Sequence, residues 1–101
     1  MNAPTYVELE ATSVRFYSRH DEDAFFEWLK KLPCVEKCQG RGLTVHISVK
    51  PALVDEDALR EFLALFRRYG VDGRQLARFD REEFTNWFKD PHAYWYEEIF
   101  G

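Results

Sequence analysis

Apolar and polar residues alternate most sharply over Leu43-Thr44-Val45-His46-Ile47-Ser48-Val49. Every odd position there is branched and apolar, and the even positions are Thr, His and Ser. A period of two over this length predicts a strand with one face in a core. Residues 5–17 also read as extended, but Val7, Leu9 and Ala11 share one parity and Val14 and Phe16 the other. One regular strand cannot bury both sets. A bulge near Thr12-Ser13 is therefore expected, with two short strands as the alternative. Val35 to Gln39 gives a short charged strand, suited to a sheet edge by Glu36 and Lys37. Gly40-Arg41-Gly42 is expected to turn it into the strand that begins at Leu43.

The period changes to that of a helix in two places. Phe25, Trp28, Leu29 and Leu32 form one apolar stripe, opened by Ser18 as cap with Asp21 three residues on, and closed by Pro33. Leu59, Phe62, Leu63 and Phe66 form the second, from the cap Asp55 to Tyr69, with Gly70 just past the end. Arg74 to Phe79 is expected as a fourth strand, although its alternation is poor. Asp80-Arg81-Glu82-Glu83 resembles a capping box for a third helix bearing Phe84, Trp87 and Phe88. Asp90-Pro91 then predicts a break and a last helix over His92 to Phe100.

The order β-α-β-β-α-β followed by helix predicts an α+β fold, a ferredoxin-like split βαβ sheet with both main helices on one face. The strand 43–49 would lie centrally. An open α+β sandwich with an extra N-terminal hairpin is the alternative. The chain of 101 residues is expected to be a single domain, with 80–101 as a C-terminal acidic aromatic extension.

Charge separates that extension from the rest. Residues 1–79 carry 12 acidic and 12 basic side chains, whereas residues 80–101 carry six acidic and two basic, which is the whole net charge of −4. The absence of a basic excess or of stacking aromatics at 44, 46 and 48 argues against nucleic acid. The apolar runs are too short to span a membrane. Met1-Asn2-Ala3-Pro4 does not read as a signal peptide, so a cytoplasmic location is expected. Cys34 and Cys38 are expected to be free thiols, because a lone C-x3-C suits neither a strand disulfide nor a zinc site.

Several side-chain groups carry candidate chemistry. Thr44, His46 and Ser48 share the face opposite the core, a polar sheet site if it lies open. Arg67, Arg68, Arg74, Arg78 and Arg81 make a basic docking patch for an anion or an acidic surface; the plainer reading is a solvated face. His20-Asp21-Glu22-Asp23 is not a metal loop, because consecutive carboxylates fan around a helix; they suit its N-terminus. Trp87, Tyr94, Trp95, Tyr96, Glu97, Glu98 and Phe100 combine large rings with carboxylates, and Tyr94, Tyr96 and Phe100 are the surplus rings one helical face would not bury. Interfaces are enriched in such rings.

No motif for a nucleophile, cofactor or metal is present, so no cofactor and no metal are expected. The pattern instead predicts a non-enzymatic protein-binding module that engages a basic protein surface through the acidic aromatic C-terminus. An inhibitor or immunity-type protein is one version; self-association of the tail with the arginines of a second copy is another. The alternative is a homodimeric small-molecule-binding or minor enzymatic domain with a polar site around His46.

Overall fold

The computed structural model describes residues 6–101; the reading of Met1–Pro4 and the first residue of the 5–17 segment lie outside them. β1 (Val7–Thr12) leads into α1 (Arg19–Lys30), then β2 (Val35–Arg41), β3 (Thr44–Val49) and α2 (Glu56–Tyr69). Three-ten turns follow over Gly73–Phe79 and Glu82–Phe84, then α3 (Thr85–Phe88) and α4 (Tyr96–Phe100). The sheet is antiparallel in the order β1-β3-β2, so β3 is central, as expected of the strand over 43–49.

The fold is thus α+β with three described strands, and the fourth strand of a ferredoxin-like sheet is not formed. Its expected segment is instead a three-ten helix, and the sequence shows why. Gly73, Leu76 and Phe79 are buried at a spacing of three, the period of a three-ten helix rather than the two of a strand. Phe79 stacks on Phe62 of α2 with centroids 6.4 Å apart.

Alternating residues of the strands fill the core. Leu9, Ala11, Val45, Ile47 and Val49 pack with Phe25 and Leu29 of α1 and with Leu59, Phe62 and Phe66 of α2 in one continuous cluster. No polar or charged residue is buried among the described residues. Both main helices end as their sequences require. Ser18 Oγ accepts from Asp21 N at 3.1 Å, Asp55 Oδ1 accepts from Ala58 N at 2.9 Å, and Gly70 closes α2 at φ 67°.

Local expectations are corrected at the joints. β1 stops at Thr12, and Ser13 takes φ 57°, which switches the parity without a bulge or a second strand. Val14 and Phe16 then lean on the core from an irregular segment. The β2–β3 turn is Gly42-Leu43, with Arg41 paired to Thr44, so Gly40 lies within the strand and Leu43 is 78% exposed at the tip. Gly42 has φ 59°, as the first central residue of a tight two-residue turn favours. Asp80 does not cap a helix but pairs with Lys89 at 3.2 Å. The last helix covers only Tyr96–Phe100, because Asp90 Oδ1 accepts from His92 N and holds a turn there.

Candidate functional site

The register lays out the uncovered face of the sheet. Glu8 faces Ser48, which faces Lys37; Glu10 faces His46, which faces Gln39; Thr12 faces Thr44, which faces Arg41. All of these positions are polar. They form an acidic column on β1, a neutral column of Ser, His and Thr on β3, and a basic column on β2. Two strand spacings, about 9–10 Å, separate the backbones of the acidic and basic columns, and no ion pair joins the two among the described residues. A recess of about 550 Å³ opens here, lined among others by Tyr6, Glu8, Lys37, Gln39, Arg41 and His46.

Thr44, His46 and Ser48 therefore share one open surface. His46 is half-buried between its neighbours, and its Nδ1 lies 2.8 Å from Glu8 Oε2. The Thr12 and Thr44 hydroxyls are hydrogen-bonded at 3.1 Å. Glu10, Lys37 and Arg41 form no ion pair among the described residues. Sequence reasoning missed Glu8 and Glu10. Their parity, opposite to Leu9 and Ala11, puts them off the core, but only the β1–β3 register sets them beside His46.

The outer edge of β1, where a fourth strand would pair, is occupied by side chains. Gln75 Nε2 donates to Glu10 O at 2.8 Å, and Gln75 Oε1 accepts from Glu10 N. Arg78 donates to Glu8 O at 2.7 Å. A primary amide carries one donor side and one acceptor, so Gln75 replaces a strand residue's two ladder bonds.

The arginines that sequence reasoning grouped do not converge. Arg67 pairs with Glu98 and lies 5.1 Å from the Tyr94 ring centroid. Arg81 donates to Pro51 O and Val54 O, which ties the C-terminal segment to the turn before α2. Arg78 is on the β1 edge, and Arg68 and Arg74 are exposed.

The aromatic tail mostly lies on its own chain. Phe84, Phe88, Trp95 and Ile99 are buried, and Trp87, Tyr96 and Phe100 are half-buried. Trp95 Nε1 donates to Phe88 O at 2.8 Å, and the Arg60 guanidinium stacks 4.1 Å from the Trp87 ring centroid. Tyr94 is 48% exposed, and Glu97 and Glu98 are exposed. Partial burial, then the nearby Glu98 carboxylate, push the Tyr94 phenol pKa up. An exchange of the tail onto a second copy's arginines would first have to break the Arg67–Glu98 pair made within the chain.

Both cysteines are free thiols. Burial raises the Cys34 pKa to about 11 and also raises that of Cys38, the reverse of what an activated thiol needs. No helix among the described residues is long and apolar enough to cross a membrane. No protein-family model matches the chain, and neither a curated protein nor a solved structure matches it.

Proposed function

We propose that this protein is a binding module for a small polar ligand, and that the open sheet face is its binding surface. One observation carries the reading: a recess with Glu8 and His46 on one side and Lys37 and Arg41 on the other, the last two forming no ion pair among the described residues. A ligand with an anionic group at one end would meet Lys37 and Arg41, and its cationic part would meet Glu8, with Glu10 beside it on the same strand. Ser48, His46 and Gln39 supply hydrogen-bonding groups between them. The preference over a protein partner at the tail rests on packing, because the tail's large rings are mostly committed to their own chain.

The test is a map of amide chemical shifts during titration with glutamate, succinate and inorganic phosphate. At least one should shift resonances clustered at Lys37, Gln39, Arg41, His46 and Ser48, and the Lys37→Ala/Arg41→Ala double variant should lose the response. No response to any of the three, or shifts centred on Tyr94–Phe100, would overturn the proposal.

A further inference from the structure

Glu8, Glu10 and His46 each offer one ligand atom, and these atoms lie within 4.8 Å of one another. We propose that they hold a single dication of the zinc class; this rests on the open sheet face being the binding surface. The cationic part of the ligand would then be a metal ion, and the anionic part a small molecule completing its coordination.

The donor set decides the class of ion. One imidazole nitrogen with two carboxylate oxygens suits Zn²⁺, whereas Mg²⁺ and Ca²⁺ favour oxygen alone. Bonds of about 2.0–2.2 Å put neighbouring ligand atoms of a tetrahedron roughly 3.4 Å apart. Rotamer changes of exposed glutamates cover the difference from the observed spread. The three residues are also fixed at the backbone. Glu10 stands opposite His46 in the ladder and Glu8 is two residues along on the same face. Gln75 holds the Glu10 backbone and Arg78 the Glu8 carbonyl.

A cross-strand hydrogen bond from His46 to Glu8 accounts for two of the three residues. It leaves the Glu10 carboxylate close by, a second like charge with no cationic partner among the described residues. Arg78, which lines the same groove as Glu8 and Glu10, donates to the Glu8 carbonyl oxygen and forms no ion pair with either carboxylate. A dication would neutralise both carboxylates and take the lone pair of His46 Nδ1. Three protein ligands leave one tetrahedral position, as in sites that admit a further ligand. That position would face a recess whose far side carries Lys37 and Arg41.

The chelator-treated chain is titrated with Zn²⁺ by calorimetry at neutral pH, in parallel with amide shifts. One equivalent should bind, with shifts at Glu8, Glu10 and His46. His46→Ala and Glu10→Gln should each weaken binding about tenfold or more, at least the scale reached by outer partners of metal ligands. His20→Ala and His92→Ala should bind as the parent does, and circular dichroism shows whether each variant is folded. The inference is overturned if no stoichiometric Zn²⁺ binds, if binding survives in folded His46→Ala, or if it is lost in a Cys34→Ser/Cys38→Ser variant. Equal binding of Mg²⁺, insensitive to His46→Ala, would reduce the cluster to an acidic patch and also overturn it. Should Zn²⁺ fail while an anion still shifts Lys37 and Arg41, this inference falls and the reading of the face stands. Should both fail, the reading falls as well.

Discussion

The two faces of the sheet are written by alternate residues of the same strands, yet they obey different constraints. On the covered face Leu9, Ala11, Val45, Ile47 and Val49 are buried, in one cluster with residues of both helices. On the open face every paired position is polar, and no side chain there is needed to fill a volume. Alternation alone would be satisfied by any polar residues on that side. At the paired positions of that face the carboxylates, Glu8 and Glu10, lie on β1 and the cations, Lys37 and Arg41, on β2, with Glu36 of β2 tied to Lys50. The covered face thus explains why the chain folds, and the open face is where the sequence retains freedom to bind.

The largest expected effect separates neighbours in the chain. Ile47 is fully buried in the central strand, and Ile47→Ala should cost about 2–5 kcal/mol through lost burial and the cavity left behind. His46→Ala, one residue away, removes an exposed pairing with Glu8 and should change stability within about 0.5 kcal/mol. Urea denaturation of the two variants checks the contrast. A small loss at Ile47, or a loss at His46 comparable to it, would mean that the faces are not divided as described.

A smaller effect tests how the tail closes the covered side. A Cβ placed at Gly73 would stand 3.0 Å from Ile99 Cδ1 and 3.6 Å from Glu98 O. Gly73→Val should therefore push α4 away and cost about 1–3 kcal/mol. Gly40 in β2 has nothing within 4 Å of such an atom, so Gly40→Ala should stay within about 0.5 kcal/mol. Thermal unfolding of both, with tryptophan fluorescence of Trp87 and Trp95 as the local probe, gives the comparison. Equal midpoints would show that α4 does not need the close approach at Gly73.

The parts legible in the sequence are those set by local periodicity and caps. The period of two over 44–49 gives the central strand, and the stripes with Ser18, Asp55 and Gly70 give both long helices with their ends. Where the signal was a period of three, at Gly73, Leu76 and Phe79, a strand expectation overrode it, and the sheet lost its fourth strand. Ser13 could not be foreseen as a left-handed residue, because nothing local in Thr12-Ser13 requires it; the constraint is Ser13 N donating to Leu43 O at 2.7 Å across the sheet. The candidate site was half legible. Thr44, His46 and Ser48 follow from alternation, whereas Glu8, Glu10, Lys37 and Arg41 join them only through strand order and register. The surplus of rings in the tail holds only for a single helix over 92–100. In the structure two short helices and the turns around them share it, so more of it can be buried.

The smallest expected effect lies where the two faces meet, at the edge of β1. Gln75 substitutes there for a missing strand, bonding both the N–H and the carbonyl of Glu10. The site is exposed, so water can replace part of what is lost, and Gln75→Ala should cost only about 1 kcal/mol. Its local signature should be clearer than its global one. The Glu10 amide should exchange with solvent faster, while amides of Val45 and Ile47, held inside the sheet, should not change. Gln75→Glu is the sharper variant, since it keeps the acceptor, removes the donor and adds a third carboxylate near Glu8 and Glu10. It should destabilise more than Gln75→Ala at neutral pH, and the excess should shrink when acid protonates these carboxylates. If Glu10 exchanges no faster in either variant, the edge is held by the packing of Leu76 and Phe79 alone. The amide of Gln75 would then be an ornament on a three-stranded sheet that needs no substitute for its fourth strand.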